Sequence, residues 1–353
     1  MAEVLGVGLS HYPLLGGVDE DMASILRYTL EDPDVPASHK EPGAWPASMR
    51  AEWGEDGGVA GAAAHRRALL EGFAEVRRAI DEFRPDALVI WGDDQYENFE
   101  EDIIPAFTVQ IYGDREVHPW RHARKSSALL GRPNVWGEDG DTSIVVRGAP
   151  DIGRALTEGL LEREIDVAYA YKPLHHEGLP HAFLNTLLYL DYERTGFDYP
   201  VIPFPINCYG RRVVSYRGFV SRLGDHEQLD PPSPTPSRAM HVGATVAEVL
   251  SATPHRVALV ASSSWSHAFL CDKTWRLRPD GEADLAFYRA LEENDFDFWR
   301  KTSVAQLEES GQQEMLNWFC LLGAMEYLGR SVSWSRYVPT EVFNSNKVFA
   351  LYR

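Results

Sequence analysis

Short apolar runs alternate with segments of helical period along most of this chain, and that alternation narrows its fold more than any other feature. Residues 4–9, 87–91, 107–112, 166–171, 201–207 and 256–261 are each rich in strand formers and too short for an ordinary helix. Between the first two, Leu69, Leu70, Phe73, Val76 and Ile80 recur at three- and four-residue steps. That spacing predicts a helix over Val59–Phe83, stopped by Pro85. Residues 152–163, 182–190 and 237–251 read as further helices, and helical sequence dominates 284–329. Strands alternating with helices predict an α/β fold, a central and largely buried sheet flanked by helices with the active site at strand ends. No repeat interrupts the pattern, so one large domain over residues 1–353 is expected, with insertions at about 31–58, 118–141 and 224–236. The first insertion, rich in Pro, Gly and Asp, reads as irregular.

The charge balance limits the partners. Lys plus Arg number 34 against 53 Asp plus Glu, a net charge of −19. Such a field repels phosphate backbones and anionic lipid, so neither nucleic acid nor a membrane is an expected partner. A small anionic substrate stays compatible, because it responds to its local pocket. No apolar run approaches the ~20 residues of a membrane span, and the N-terminus lacks the pattern of a secretory leader. Cys208, Cys271 and Cys320 are widely spaced and odd in number, which fits neither a disulfide framework nor a zinc knuckle. A cytoplasmic protein is the expectation.

Titratable residues recur just past the apolar runs: His11, then Asp93, Asp94 and Gln95, then His175 and His176, then His267. In open α/β sheets, ligands bind beyond the carboxyl ends of strands, where such groups can meet. Each also has a plainer reading as a loop residue, and Asp93-Asp94-Gln95 reads equally as a turn whose Asp side chains accept from backbone amides. His65 sits in the predicted helix beside Arg66 and Arg67 and reads as solvated; His39, in the first insertion, could fold over the site. The basic stretch 118–125 offers Arg121 and Arg124 to a substrate carboxylate, or neutralises the acidic surface. Trp45, Trp53, Trp120 and Trp136 stack on a substrate ring or pin the long loops.

The motifs carry a resemblance. Val7-Gly8-Leu9-Ser10-His11-Tyr12-Pro13 resembles the opening of class III extradiol ring-cleavage dioxygenase catalytic subunits, such as the protocatechuate 4,5-dioxygenase beta subunit and the dihydroxyphenylpropionate dioxygenases. Residues 89–95 continuing to 102–107, His175-His176-Glu177-Gly178, residues 201–207, Ser264-Trp265-Ser266-His267 and Glu314-Met315-Leu316-Asn317-Trp318 follow in the family's order. The resemblance implies a non-haem Fe(II) held by two histidines and a carboxylate, with O2 cleaving a catecholic aromatic ring beside its hydroxyls. It makes His11 the first ligand and Glu314 the carboxylate, and puts Gln95 where the family has its second histidine. Gln95 binds through its carbonyl oxygen, or Asp94, His39, His65 or His175 takes the place, or no iron binds. Glu314 has a quieter reading as a helix-start residue. His267 and His176, with His175 as the other register, correspond to the family's acid/base histidines, since a catechol sheds protons as it binds. Arg121, Arg124 and Asp94 are the expected substrate contacts, and a homo-oligomer is the family expectation. The alternatives are a hydrolase or decarboxylase with an altered metal site, or a non-catalytic small-molecule-binding protein.

Overall fold

The computed structural model describes residues 3–121, 132–212, 223 and 229–353. Its strands are β1 (Val4–Leu9), β2 (Ala87–Asp93), β3 (Thr108–Gln110), β4 (Arg115–Val117), β5 (Ile144–Val146), β6 (Ala168–Ala170), β7 (Val201–Ile206), β8 (Val257–Ser262), β9 (Trp334–Val338) and β10 (Lys347–Tyr352). Six of them form a mixed sheet in the order β7-β2-β8-β1-β10-β9. The first four in that order run parallel, with every residue buried. Parallel strands covered on both faces need near-continuous apolar runs, which is what VLGVGL, ALVIW and VALVA supply. Pro203 and Pro205 are tolerated because β7 is an edge strand.

Side chains alternate between two cores. Val89 and Trp91 enter one with Phe204, Trp265 and Trp318, whereas Leu88 and Ile90 enter the other with Phe73, Phe183 and Phe349. Helices Pro236–Ser251 and Leu316–Tyr327 cross on the first face at two glycines. A Cβ on Gly323 would fall 2.0 Å from the Met240 carbonyl oxygen, and one on Gly243 1.8 Å from that of Cys320. Gly323→Ala is therefore expected to cost about 3 kcal/mol by overpacking, read as a lower urea midpoint with an unchanged slope.

Several expectations are corrected. Apart from a single bridge between Phe107 and Ile206 of β7, the runs at 107–112 and 166–171 stay outside the central sheet; β3 and β6 pair with each other in a separate parallel ladder. Neither is apolar on both faces: β3 alternates with Thr108 and Gln110, and Tyr169 of β6 is exposed. The insertion at 31–58 is not irregular but holds short helices, Ala37–Lys40 and Ala47–Trp53. Its Trp45 and Trp53 rings meet edge-on at 5.6 Å and pack on the second core, so they act as anchors. Trp120 and Trp136 do likewise, bonded to Glu138 and to the Tyr192 carbonyl. β9 and β10 close the sheet beyond 329, where no strand was read; polar, half-buried β9 gives no apolar run to read. No helix among the described residues is long and apolar enough to cross a membrane.

Candidate metal centre and active site

The sheet register decides what meets. Leu9 pairs with Ser262 and Asp93 with Ile206, so the chain leaves β1, β2, β7 and β8 at one edge of the sheet. Just past β1, Ser10 bonds to the Ser263 and Val348 carbonyls and fixes the turn into His11. The His11 ring is buried, with Nδ1 2.9 Å from Ser262 Oγ, whose hydroxyl is in turn held by Ala182 and Thr186. That leaves Nε2 facing Asp93, 3.9 Å from Oδ1.

His181 opens the helix His181–Leu190 behind Pro180. Its backbone N–H and its Nδ1 both go to the Glu97 carboxylate, the ring nitrogen at 2.8 Å. Its Nε2 therefore faces inward, 3.6 Å from Asp93 Oδ2. His11, Asp93 and His181 each offer one donor atom within 4.8 Å of the others, so this buried group can hold a metal ion.

Two further groups border it. Tyr209, three residues past β7, donates toward Glu314 Oε1 at 2.5 Å and Asp93 Oδ2 at 3.2 Å, with Gln95 Oε1 at 3.4 Å. Glu314 lies in the turn Gln313–Met315, its backbone carbonyl gripped by Ser263 Oγ and its Oε1 3.3 Å from His267 Nε2. His267 is placed by its backbone N–H on the Gly311 carbonyl. Behind it, the buried Asp284 carboxylate accepts from Ser266 N–H, Gln312 Nε2 and Asn346 Nδ2, tying together the segments next to His267 and Glu314.

The electrostatics test whether this set fits a cation. Burial, then the other carboxylate, pushes Glu314 well up; burial also raises Asp93, with Glu97 adding to it and His181 opposing. Burial pulls His181 down, but the Glu97 and Asp93 charges outweigh it and push it up to about 10. Burial holds His11 well below its ordinary value, with His181 and His267 adding to it. Two buried carboxylates and two inward imidazoles thus converge, with the His181 imidazole as the cation that balances them in the absence of a metal, and Asp93 Oδ1 and Glu314 Oε2 have no hydrogen-bond partner among the described residues. Each imidazole has its Nδ1 occupied and its Nε2 presented, the arrangement that orients histidines on a metal. The donor set fits a divalent metal.

The structure brings together His11, Asp93, Gln95, Glu314 and His267 of the residues singled out from sequence, and adds His181, Glu97 and Tyr209. Asp94 turns the other way, accepting from the N–H groups of Glu97, Asn98 and Phe99. His175 is exposed and paired with Asp102 at 2.9 Å, while His176 is buried with Nδ1 accepting from Gly178 N–H. Both follow β6, which lies outside the central sheet, and neither is one of the three donors. Arg121 is exposed and bound to Asp141; Arg124 lies outside the described residues. His65 is not solvated but buried against Phe343, and His39 stacks on Trp275 at 5.1 Å. His181 stands directly behind Pro180 at a helix start, and no local sequence signal marks it as a ligand.

No protein-family model matches the chain. It is 26% identical over 215 residues to the 2,3-dihydroxyphenylpropionate/2,3-dihydroxicinnamic acid 1,2-dioxygenase of Photorhabdus laumondii, covering 60% of this chain and 53% of that protein. It is 24% identical over 204 residues to 2,3-dihydroxyphenylpropionate/2,3-dihydroxicinnamic acid 1,2-dioxygenase 2 of Pseudomonas putida, covering 56% and 50%. A third relative of the same name, from Paraburkholderia phymatum, is 23% identical over 192 residues. The chain spans about half the length of the curated relatives it matches.

Proposed function

We propose that this chain is a non-haem Fe(II)-dependent extradiol dioxygenase that cleaves a catecholic ring beside its hydroxyls with O2. One observation carries the reading: two imidazole Nε2 atoms and one carboxylate converge, each imidazole oriented by a bond to its other nitrogen. Two histidines and a carboxylate with open positions are the ligand set of non-haem Fe(II) oxygenases, and the names of the relatives support the same chemistry. Fe(II) held by His11, His181 and Asp93 would supply the redox-active centre that ring cleavage with O2 requires.

The protein's own groups do the rest. His11 and His181 present Nε2, and Asp93 Oδ1, to the ion, with Glu314 and Gln95 adjoining through the Tyr209 hydroxyl. Burial, with Lys347 adding to it, lowers His267 to about 3, so the imidazole is neutral, and its place 3.3 Å from Glu314 is what supports a proton-transfer role. Its Nδ1 has no partner among the described residues. His176, buried on the segment after β6, is given the second proton transfer on the resemblance alone. A cytoplasmic, homo-oligomeric enzyme belongs to the same reading, supported by three buried free thiols and the resemblance.

The test is anaerobic reconstitution with Fe(II), followed by oxygen uptake on a panel of catechols. Uptake at one O2 per ring cleaved is the expected outcome. Turnover under argon would favour the hydrolase or decarboxylase alternative, and no turnover with any catechol would remove the assignment.

A further inference from the structure

A single phenol hydroxyl, that of Tyr209, stands between the two buried carboxylates of the centre, and the backbone around it fixes its place. The chain leaves β7 at Ile206, and the Asn207 side-chain oxygen accepts from Gly210 N–H at 3.3 Å. Gly210 has a φ of 47°, and a Cβ there would fall 2.4 Å from the Ser233 backbone nitrogen. Only glycine suits both that left-handed turn and that close approach, so Tyr209 is locked between the end of β7 and the Pro232–Ser233 backbone. Its ring is buried in the core of Trp91, Phe204 and Trp318.

One hydroxyl has one hydrogen, and three oxygens surround it: Glu314 Oε1 at 2.5 Å, Asp93 Oδ2 at 3.2 Å and Gln95 Oε1 at 3.4 Å. The shortest of these is the length of a hydroxyl donating to a carboxylate, so the hydrogen goes to Glu314. His267 Nε2 reaches the same oxygen only at 3.3 Å, which leaves Tyr209 as the stronger restraint. Glu314 Oε2 has no hydrogen-bond partner among the described residues. Because both carboxylates touch one hydroxyl, Glu314 lies within reach of an ion bound at Asp93, yet it is not one of the three donors. A carboxylate with an unspent oxygen beside a divalent cation stays off it only if something holds it.

We propose that Tyr209 is a positioning residue that holds Glu314 off the metal, so that the ion keeps His11, His181 and Asp93 as its protein ligands and an open position beside them. This rests on the metal-centre reading above. The same hydroxyl faces Asp93 Oδ2 and leaves Oδ1 to the ion, so one group decides which carboxylate ligates. A fourth protein oxygen would fill a position that the two-histidine, one-carboxylate arrangement leaves open.

The test loads the full chain with Co(II), whose visible bands report its ligands. Tyr209→Phe keeps the ring and removes the hydroxyl. As Glu314 joins the ion, the variant should bind Co(II) about tenfold to a hundredfold more tightly, the reverse of the loss seen when a ligand's orienting partner is removed, and the bands should shift. Azide, a probe of the open position, should bind the Co(II)-loaded variant about tenfold more weakly, as when a site is free only about a tenth of the time. Adding Glu314→Gln to Tyr209→Phe should return affinity, bands and azide binding to those of the unmodified protein, a reversal that a merely structural role for Tyr209 would not give. Weaker Co(II) binding in Tyr209→Phe, unchanged azide binding, or a loss beyond about a hundredfold in Glu314→Gln alone, the mark of a ligand, overturns the proposal. Absence of Co(II) binding in the unmodified protein overturns the metal-centre reading with it, whereas normal Co(II) binding that ignores Tyr209→Phe overturns the role of Tyr209 alone.

Discussion

Replacing His181 with alanine is expected to remove tight Fe(II) binding and ring cleavage together, while the protein stays folded. His181 presents Nε2 to Asp93 and His11, and nothing else in the group can supply that nitrogen. Mutating a residue that only orients a ligand typically costs about 10–100-fold in metal affinity, so loss of the ligand itself should exceed about a hundredfold. Glu97→Gln, which weakens the bond orienting the His181 ring, should fall in that 10–100-fold range. Gln95→Ala should cost less than about tenfold, because Gln95 is not among the three donors and its contact with the Tyr209 hydroxyl, at 3.4 Å, is long. Anaerobic Fe(II) titration with a colorimetric chelator reads all three. Near-normal affinity in His181→Ala with a large loss in Gln95→Ala would return the second ligand to Gln95.

His267→Ala should separate chemistry from metal binding. The neutral ring sits beside Glu314 with one nitrogen unpaired, placed to move a proton but not among the three donors. A positioned general acid or base contributes about 10²–10⁴-fold, so kcat should fall by that factor while Fe(II) per chain stays unchanged. Iron lost in parallel with activity would make His267 a ligand or a structural support, and the proton-transfer role would be withdrawn. His267→Gln, which keeps a donor toward Glu314, separates those two: it should restore metal content in the structural case and leave kcat low in either.

Much of the scaffold was readable because parallel strands buried on both faces must be continuously apolar, and β1, β2, β7 and β8 are. Residues at the ends of those strands, or directly after them, were readable for the same reason: once His11 and Asp93 follow such runs, the register brings them together. His181 was not, because it comes from a helix start and joins the group through Glu97, a pairing that no local pattern announces. The central-sheet register does not place His175 and His176, since the run before them belongs to the small β3–β6 ladder. His65 carried a signal that went unread. Together with Ala62, Leu69, Phe73, Val76 and Ile80 it follows the three- and four-residue spacing of the buried stripe, so the helical period itself places it inside.

The most direct test of the metal centre is an anomalous-difference map at the iron edge, from crystals grown anaerobically with Fe(II). One peak per chain is expected, bounded by His11 Nε2, His181 Nε2 and Asp93 Oδ1. A peak coordinated by Gln95 with His181 turned away, or no peak in this region of a crystal that binds iron elsewhere, would contradict it.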